Sequence, residues 1–340
     1  MHATGERHLR RLRIADPDRD RSAIACAGTV LRDGGLVGLP TETVYGLAAN
    51  ALDDAAVRRI FAAKGRPADN PLIVHLASAA QLADVVADVT PLAAALTARF
   101  WPGPLTVVLD AAADLPAATT GGLPTVAVRV PDHRVARAVI AAAGVPVAAP
   151  SANRSGRPSP TTADHVAADL GDRLDLLIDG GATGLGVEST VVDARGTRPV
   201  VYREGALTRE QLGPVAGGDG ASTASPGTRY RHYAPSCIVE IVAPEELEAR
   251  ARTLVAQGIR AGTVASGALD VAGAIRVADF RDVDDLAHRL YGALRAAEDA
   301  HIDVLLCAAV PETGVGRAVM DRLRRAAATD DESAGRPARS

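Results

Sequence analysis

The chain has 340 residues, of which 47% are hydrophobic, 23% are charged and 3% are aromatic, and its formal net charge is −4. This composition excludes a wholly disordered chain and predicts about two globular domains with cores of Ala, Val, Leu and Ile. The negative charge argues against a protein that holds nucleic acid mainly through its own electric field. An anionic ligand would therefore be small and bound locally.

The cysteine pattern and the apolar runs exclude several further classes of protein. Cys26, Cys237 and Cys307 lie far apart and include no Cys-x-x-Cys pair, so neither a zinc-site spacing nor a disulfide framework is present. No stretch approaches the roughly 18 apolar residues of a membrane span, and the Arg-rich N-terminus lacks the apolar run of a secretory signal. These features predict a soluble protein of the cytoplasm without a membrane partner.

The predicted elements alternate between helices and strands. Residues 1–21 are expected to be a flexible lead-in, followed by a first domain over residues 22–213. Hydrophobic periodicity, capping residues and Gly or Pro breaks predict its helices at 22–32, 53–64, 79–87, 91–100, 132–143, 163–170 and 208–212. Short apolar runs predict its strands at 36–39, 72–76, 105–109, 125–130, 145–149, 174–178, 188–193 and 200–202.

A break in composition separates this domain from a second one. Residues 214–236 are rich in Gly, Ser, Ala and Asp at their start and predict a linker. The second domain, residues 237–328, has predicted strands at 238–242, 262–265 and 302–306 and predicted helices at 244–257, 284–299 and 315–328. This alternation is typical of a small doubly wound α/β domain. Residues 329–340 form a polar tail.

The segment from residue 64 to residue 76 joins a helix to a buried strand and carries two cations. Gly65 suits the position just past a helix end, and Pro67 and Pro71 stiffen the turn. Held in such a turn, Lys64 and Arg66 would suit phosphate or carboxylate. The alternative is a solvated basic helix end that the helix dipole favours.

Other polar segments also stand at strand ends of the first domain, at residues 41–45, 151–161 and 189–190. Arg129 and Arg203 add cations beside strand ends. In α/β folds the loops beyond strand ends converge on a ligand crevice. Together with Lys64 and Arg66, these two arginines would suit polyphosphate and a carboxylate. Neutral hydrogen bonds would come from Ser151, Asn153 and Thr161.

Each of these residues also has a purely structural interpretation. Thr41 and Thr43 are ordinary turn residues in that interpretation, and His75 is a core histidine. Asn153 caps a turn, and Arg203 is a surface charge. The sequence contains no P-loop, no Gly-x-Gly-x-x-Gly turn, no His-Glu-x-x-His and no Gly-x-Ser-x-Gly elbow, so a nucleotide site must be assembled in another way.

Five motifs in order resemble a known family. They are Leu-Pro-Thr-Glu-Thr-Val-Tyr-Gly-Leu at 39–47, Lys-Gly-Arg-Pro at 64–67 with Asn-Pro-Leu at 70–72, Trp-Pro-Gly-Pro-Leu-Thr at 101–106, Ala-Pro-Ser-Ala-Asn at 149–153 with Ser-Gly at 155–156, and Glu-Ser-Thr-Val-Val-Asp at 188–193. Together they resemble the threonylcarbamoyl-AMP synthase (YrdC-like) family. Residues 225–235 are similar to the linker of its two-domain, yeast-type form, and residues 316–327 resemble the end of that form's C-terminal domain.

The resemblance implies both a fold and a reaction. The fold is α/β: a twisted, largely parallel sheet around a basic cavity, with a small Rossmann-like C-terminal domain. The reaction forms L-threonylcarbamoyladenylate and pyrophosphate from L-threonine, bicarbonate or CO2, and ATP, which makes the enzyme a nucleotidyltransferase. The product serves N6-threonylcarbamoylation of adenosine 37 in tRNAs that read codons beginning with A.

The resemblance also implies roles for individual residues. The residues implied to bind threonine are Thr43, His75, Arg129, Ser151 and Ser189. The residues implied to bind ATP are Arg66, Asn70, Thr125, Asn153, Thr161, Arg203 and the linker residues Tyr230 and Tyr233, of which one closes over the nucleotide. Lys64 and Arg66 are implied as catalytic residues beside the phosphates.

Cofactors and partners follow from the same resemblance. Mg²⁺ is expected to accompany ATP, without a dedicated carboxylate cage for the metal and without a tightly bound organic cofactor. The product would pass to the tRNA threonylcarbamoyl transferase machinery, whereas direct tRNA binding has little support in the sequence.

Two other functions compete with this interpretation. One is an RNA-binding module with a concave basic face and no chemistry, against which the net negative charge argues. The other is a carbamoyltransferase of the hydrogenase-maturation kind, which shares the first domain. Those proteins add an acylphosphatase domain and Cys-rich zinc fingers, and three scattered cysteines cannot form the fingers.

Overall fold

The computed structural model describes residues 9–216 and 232–328, which form two α/β units on separate sheets. The strands of the first unit are β1 (Arg11–Arg13), β2 (Val37–Leu39), β3 (Gly46–Asn50), β4 (Ile73–His75), β5 (Leu105–Asp110), β6 (Thr125–Arg129), β7 (Val147–Ala148), β8 (Leu176–Asp179), β9 (Thr190–Asp193) and β10 (Val200–Arg203). Its helices are α1 (Arg21–Arg32), α2 (Asp54–Lys64), α3 (Pro91–Phe100), α4 (Ala117–Thr120), α5 (Arg134–Ala143), α6 (Ala163–Leu170) and α7 (Arg209–Leu212), with 3₁₀ helices at Ala79–Asp84 and Gly171–Arg173.

The ten strands form one sheet in the order β1-β8-β2-β3-β7-β4-β6-β5-β9-β10. Four of the neighbouring pairs among the described strands are parallel and five are antiparallel. The prediction of an α/β fold is therefore confirmed, and the pairing of the strands is mixed. In the centre, His75 of β4 lies in register beside Arg129 of β6, so both side chains are delivered to the same end of the sheet.

Local signals account for α2 and its end. Asp53 caps the helix by accepting hydrogen bonds from the backbone N–H groups of Ala55 and Ala56. Gly65 follows the helix with a φ of 62°, a left-handed conformation that glycine adopts without steric cost. The predicted helix over residues 53–64 is thus confirmed, with Asp53 as its cap.

The prediction of a flexible lead-in is wrong for residues 11–13. These residues form β1, which pairs in parallel with β8 at the edge of the sheet. Arg11 Nη2 donates a hydrogen bond of 2.8 Å to Asp179, and the neighbouring Ile14 is 1% exposed. An Arg-rich segment has no apolar alternation, so only pairing with a distant strand reveals it as a strand.

Three further elements depart from the predictions. Gly46–Asn50 forms the central strand β3, although it follows a polar loop and lacks β-branched residues. The helix predicted over residues 79–87 is the 3₁₀ helix Ala79–Asp84, and the short helix α4 had no signal. Burial between two neighbouring strands, rather than intrinsic propensity, explains β3.

The second unit is a four-stranded parallel sheet. Its strands are β11 (Ile238–Val242), β12 (Ala261–Ser266), β13 (Ile275–Phe280) and β14 (Val304–Ala308), in the order β11-β14-β12-β13. Its helices are α8 (Leu247–Ala256), α9 (Val283–Asp299) and α10 (Gly316–Ala327). The small doubly wound domain was predicted, whereas β13 was missed because Arg276 and Asp279 interrupt its apolar residues and it lies at the sheet edge.

The two units pack closely against each other. Gly186 has a φ of 77°, and a Cβ atom there would lie 2.5 Å from the backbone of His288 in α9. The buried Arg295 of α9 forms an ion pair of 2.8 Å with Asp169 at the end of α6. The second unit is therefore fixed against the first by contacts that leave no room for a side chain at Gly186.

Of the predicted linker, residues 214–216 and 232–236 are described and contain no helix or strand, while residues 217–231 lie outside the described residues. Over the described parts of the chain, no helix combines the length and the apolar character that crossing a bilayer requires.

Candidate active site

A cavity that opens to solvent lies at the end of the first sheet where His75 and Arg129 emerge. The loop after β2, the loop after β7, the segment before β9 and the end of β10 complete its wall. His232 and Tyr233 border it from the described end of the predicted linker.

All five residues predicted to bind threonine line this cavity. They are Thr43, His75, Arg129, Ser151 and Ser189. Sequence positions more than 140 residues apart thus meet in one pocket because the strand ends and loops that carry them converge at one end of the sheet.

Arg129 is held rigidly on the cavity wall. Its side chain is 3% exposed, its Nε donates to the backbone oxygen of Gly103 at 3.1 Å and its Nη1 donates to Thr43 at 2.9 Å. Its Nη2 pairs with Glu42 at 2.5 Å. The guanidinium is thus oriented before any ligand arrives, and part of its charge is offset by Glu42.

Glu42 stays ionised in this position. Burial opposes ionisation, but the Arg129 charge and a hydrogen bond from the backbone N–H of Asp132 outweigh it, so the pKa of Glu42 is lowered. The cation that Arg129 presents on the cavity wall is therefore paired with an ionised carboxylate.

His75 is neutral at physiological pH. Burial, with a further contribution from the nearby Arg129, lowers the pKa of His75 to about 3. Its Nδ1 lies 3.2 Å from the backbone oxygen of Ile73. A neutral ring must carry its proton on Nδ1 to make this hydrogen bond, which leaves Nε2 as an acceptor.

Lys64, predicted to lie beside the phosphates, does not line the cavity. It is 3% exposed, and its Nζ donates to the backbone oxygens of Ser151 and Asn153 at 2.5 and 2.6 Å. Burial, followed by the repulsion from Arg66, lowers the pKa of Lys64 well below its usual value. The lysine therefore holds the loop after β7 from behind the wall.

The residues predicted to bind ATP divide into two groups. Those that line the cavity are Arg66, Asn153, Arg203 and Tyr233. Those that are buried outside the lining are Asn70, Thr125 and Thr161. Thr125 begins β6 and Arg129 ends it, so strand geometry separates their Cα atoms by about 13 Å.

Among the residues that line the cavity, Asn153 and Arg203 have donors held by backbone oxygens, and Asn153 also has an acceptor without a hydrogen-bond partner among the described residues. Asn153 Nδ2 donates to the backbone oxygens of Arg154 and Arg157, and its buried Oδ1 has no hydrogen-bond partner among the described residues. Arg203 Nη2 donates to the backbone oxygen of Ser189 at 2.9 Å. These contacts orient both side chains on the wall.

Of the two linker tyrosines, Tyr230 lies outside the described residues. Tyr233 is 5% exposed and lines the cavity with a φ of 67°, which is uncommon for a residue other than glycine. Its backbone conformation is thus held by surrounding contacts.

The sequence motifs contained cavity residues to which no role was assigned. Glu188 and His232 line the cavity beside the predicted Ser189 and Tyr233, and Thr41 lies at its wall. All three lie within the segments that resemble the family, close to a residue with a predicted role, and that proximity was the available signal. Burial, then the charges of Arg66 and other cations, lowers the pKa of His232 to about 3.

Metal ligation has little support from these side chains. Across residues 9–216 and 232–328, no group of three or more His, Cys, Asp or Glu side chains is arranged to hold a metal ion. The carboxylate of Glu188 already accepts hydrogen bonds from Ser159, Tyr291 and Arg322.

Two family models match the chain. One, described as Telomere recombination, matches residues 29–205, which is more than half of the chain, and the other, described as Threonylcarbamoyl-AMP synthase, C-terminal domain, matches residues 206–328. The threonylcarbamoyl-AMP synthase of Pyrococcus abyssi is 46% identical over 319 residues, which span 89% of this chain and 93% of the relative. The chain belongs to the threonylcarbamoyl-AMP synthase family.

Further members of the threonylcarbamoyl-AMP synthase family agree with this assignment. The Bacillus subtilis threonylcarbamoyl-AMP synthase is 43% identical over 323 residues, which cover 89% of this chain and 92% of the relative. The crystal structure of P. abyssi Sua5 complexed with L-threonine matches with a TM-score of 0.86 at 42% identity, covering 94% of this chain and 97% of that chain. The predicted family and fold class are thus confirmed, and the chain belongs to a family of enzymes.

Proposed function

We propose that this chain is a nucleotidyltransferase that forms L-threonylcarbamoyl-AMP and pyrophosphate from L-threonine, bicarbonate or CO2, and ATP. The observation that carries the proposal is the composition of one cavity wall. Cations from three distant segments, Arg66, Arg129 and Arg203, meet there with the neutral hydrogen-bonding groups of Ser151 and Ser189.

The proposed reaction brings anions together. The threonine amine attacks CO2, loses a proton and becomes an N-carboxylate. A carboxylate oxygen then attacks the α-phosphorus of ATP, and the bond to the bridging oxygen breaks to release pyrophosphate. Such a reaction requires fixed cations that offset repulsion and hold the groups in line, whereas a strong general base is not required.

The side chains suit different parts of this task. Arg66 and Arg203 would face the phosphates. Arg129, which is already ion-paired with Glu42, would bind the threonine carboxylate. His75, being neutral, would contribute a hydrogen-bond acceptor rather than a charge.

The loop after β7 would act as a cradle. Lys64 fixes it through two backbone oxygens, so that Ser151 and Asn153 face the cavity. The open Oδ1 of Asn153 would accept a hydrogen bond from the nucleotide or from threonine. In this proposal Lys64 acts through the loop and does not itself touch the phosphates.

Mg²⁺ enters this proposal as part of the ATP complex. Magnesium in nucleotide sites commonly retains several waters and depends on the phosphates, with one or two carboxylates from the protein. Since Glu188 is engaged by three other side chains, we place no protein-held metal here. The proposal includes a cytoplasmic location and transfer of the product to the tRNA threonylcarbamoyl transferase machinery.

The test uses the full chain with ATP, Mg²⁺, L-threonine and bicarbonate. We expect pyrophosphate release together with an adenylate of the mass of threonylcarbamoyl-AMP, and both should disappear when threonine is omitted. Release of pyrophosphate that does not depend on threonine, or no release at all, would contradict the proposal. Omitting added bicarbonate in CO2-depleted buffer separates carbamate formation from simple threonine adenylation, because the two products differ in mass.

A further inference from the structure

The carboxylate of Glu188 lies where the cavity meets the second unit. Ser159 of the first unit donates to Oε1 at 2.7 Å, and Tyr291 of α9 donates from its hydroxyl at 2.7 Å to Oε2. Arg322 of α10 donates from Nε to Oε2 at 3.1 Å. A residue that lines the cavity is thus held largely by side chains of the other unit.

Arg322 contacts three different segments around the cavity. It is fully buried, and besides Glu188 its Nη1 donates to the backbone oxygen of Glu204 at 2.7 Å. Its guanidinium carbon lies 5.7 Å from the centre of the Tyr233 ring, within the range of a cation–π contact. One side chain of the second unit therefore joins the segment before β9, the end of β10 and the described end of the linker.

Those segments carry cavity residues at adjacent positions. Ser189 follows Glu188, and Arg203 precedes Glu204. The two segments are in direct contact, since a Cβ atom at Gly205 would lie 2.3 Å from the backbone carbon of Ser189. A shift of either backbone would therefore move both Ser189 and Arg203.

We infer that Arg322 is a positioning residue for the proposed reaction: from the second unit, it fixes Ser189, Arg203 and Tyr233 in the arrangement that binds threonine and ATP. The inference rests on the proposed function. It gives the second unit a direct part in shaping the cavity.

The contacts of Arg322 suit a residue that positions the cavity side chains better than one that holds the two units together. Buried ion pairs are often replaced by apolar residues without loss of stability, so they are a poor means of holding two surfaces together. A planar guanidinium can, however, satisfy two acceptors and stack on a ring at once, which an ammonium group cannot do. Electrostatics agree: burial opposes ionisation of Glu188, but the charges of Arg322 and Arg203 outweigh it and lower its pKa.

The test compares two Arg→Lys variants of the full chain. Arg322→Lys keeps the charge but cannot make all three contacts, and we expect the KM values for threonine and ATP to rise and kcat/KM to fall by roughly 10- to 100-fold. Arg317→Lys is the matched control, because Arg317 lies on the same helix and also contacts the first unit through Glu210, away from the cavity. We expect the control to stay within about twofold of wild type in kcat and KM.

The kinetic pattern separates positioning from a purely structural role. If Arg322 only stabilised the fold, the variant would lower the fraction of folded enzyme and hence the apparent kcat, with KM unchanged. Unchanged KM values in a folded Arg322→Lys protein, or equal effects in both variants, would overturn the inference.

A second variant keeps the inference testable if Arg322→Lys does not fold. Tyr291→Phe removes one hydroxyl from Glu188 and keeps the ring, so it should fold, and we expect KM for threonine to rise about threefold or more. Wild-type KM values in that variant would overturn the inference. Wild-type enzyme in the same assay separates the two proposals: no threonine-dependent pyrophosphate from wild type rejects the function, whereas active wild type with unchanged variants rejects only the role of Arg322.

Discussion

Arg129 on the cavity wall forms an ion pair with the largely buried Glu42 behind it, with 2.5 Å between Nη2 and Oε1. The arginine that we propose as the partner of the threonine carboxylate therefore already has a carboxylate partner. A ligand carboxylate at this position must either share Arg129 with Glu42 or displace Glu42 from Arg129. The pair also sets the charge of the cavity, because it offsets one of its cations.

Glu42→Gln should destabilise the protein by about 3 kcal/mol near neutral pH, since it leaves a buried guanidinium without its counter-charge. The folded-state pKa of Glu42 lies below its usual value of 4.5. Its contribution is therefore fully present above about pH 4.5 and is lost as the pH falls through the folded-state pKa. Urea unfolding of both proteins at pH 6 and at pH 4 and below should show the difference shrinking, and a difference independent of pH would contradict the assignment.

Lys64 and Arg66 should respond differently to substitution. The sequence alone predicts that both lose activity far more than stability. In the structure Lys64 is buried and serves two backbone oxygens, so Lys64→Met should lower kcat/KM about 100-fold and also cost about 2–4 kcal/mol of stability.

Arg66→Ala is the counterpart in the same turn. Arg66 lines the cavity and is only partly buried, so its removal should lower kcat/KM about 100-fold while costing about 1 kcal/mol or less. Pyrophosphate release and urea unfolding on the same preparations measure both quantities. Equal stability of the two variants would show that the contacts of Lys64 with the loop do not contribute to the free energy of unfolding.

His75 should lower the stability of the protein in mild acid without affecting the pH dependence of kcat near neutral pH. Its folded-state pKa is lowered to about 3, below its usual 6.5. The stability contributed by the neutral ring is therefore present above pH 6.5 and is lost as the pH falls towards 3, amounting to about 2 kcal/mol between pH 7 and pH 5.

His75→Gln should remove that part of the pH dependence, as followed by urea unfolding at pH 7 and pH 5. The kcat of wild type should show no ionisation of His75 between pH 6 and pH 8. His232 offers a comparison, because its pKa is also lowered to about 3 and should leave an acid-sensitive component in the variant. If the free energy of unfolding of His75→Gln fell between pH 7 and pH 5 as much as that of wild type, the result would contradict the burial argument.

Removing Arg295 from its buried ion pair with Asp169 should cost more stability than removing an arginine from an exposed ion pair. The Asp169 side chain is fully buried and keeps its second partner Arg157, at 2.6 Å, when Arg295 is removed, so Arg295→Met should cost about 2–3 kcal/mol. Arg252→Met is the control, since Arg252 pairs with Glu248 on the surface of α8 and should change stability by less than about 0.5 kcal/mol. Thermal unfolding of the two variants gives the comparison, and similar midpoints would contradict it.

The features that depend on short-range rules could be predicted from the amino-acid sequence. The cap at Asp53, the left-handed Gly65 and the apolar run that follows placed α2 and β4 nearly to the residue. The ordered motifs identified the family, and every residue assigned to threonine lines the cavity. Such features depend on periodicity, capping and turn chemistry within about a dozen residues, which a single sequence displays.

The partners of these residues could not be predicted, because they come from distant segments that meet in the folded protein. The strand at Arg11–Arg13 exists because β8 pairs with it, and Lys64 is buried because the loop after β7 folds over it. The contact between Arg322 and Glu188 joins positions 134 residues apart. Packing of distant segments selects the partner of a charged group, and neither its residue type nor its local spacing carries that information.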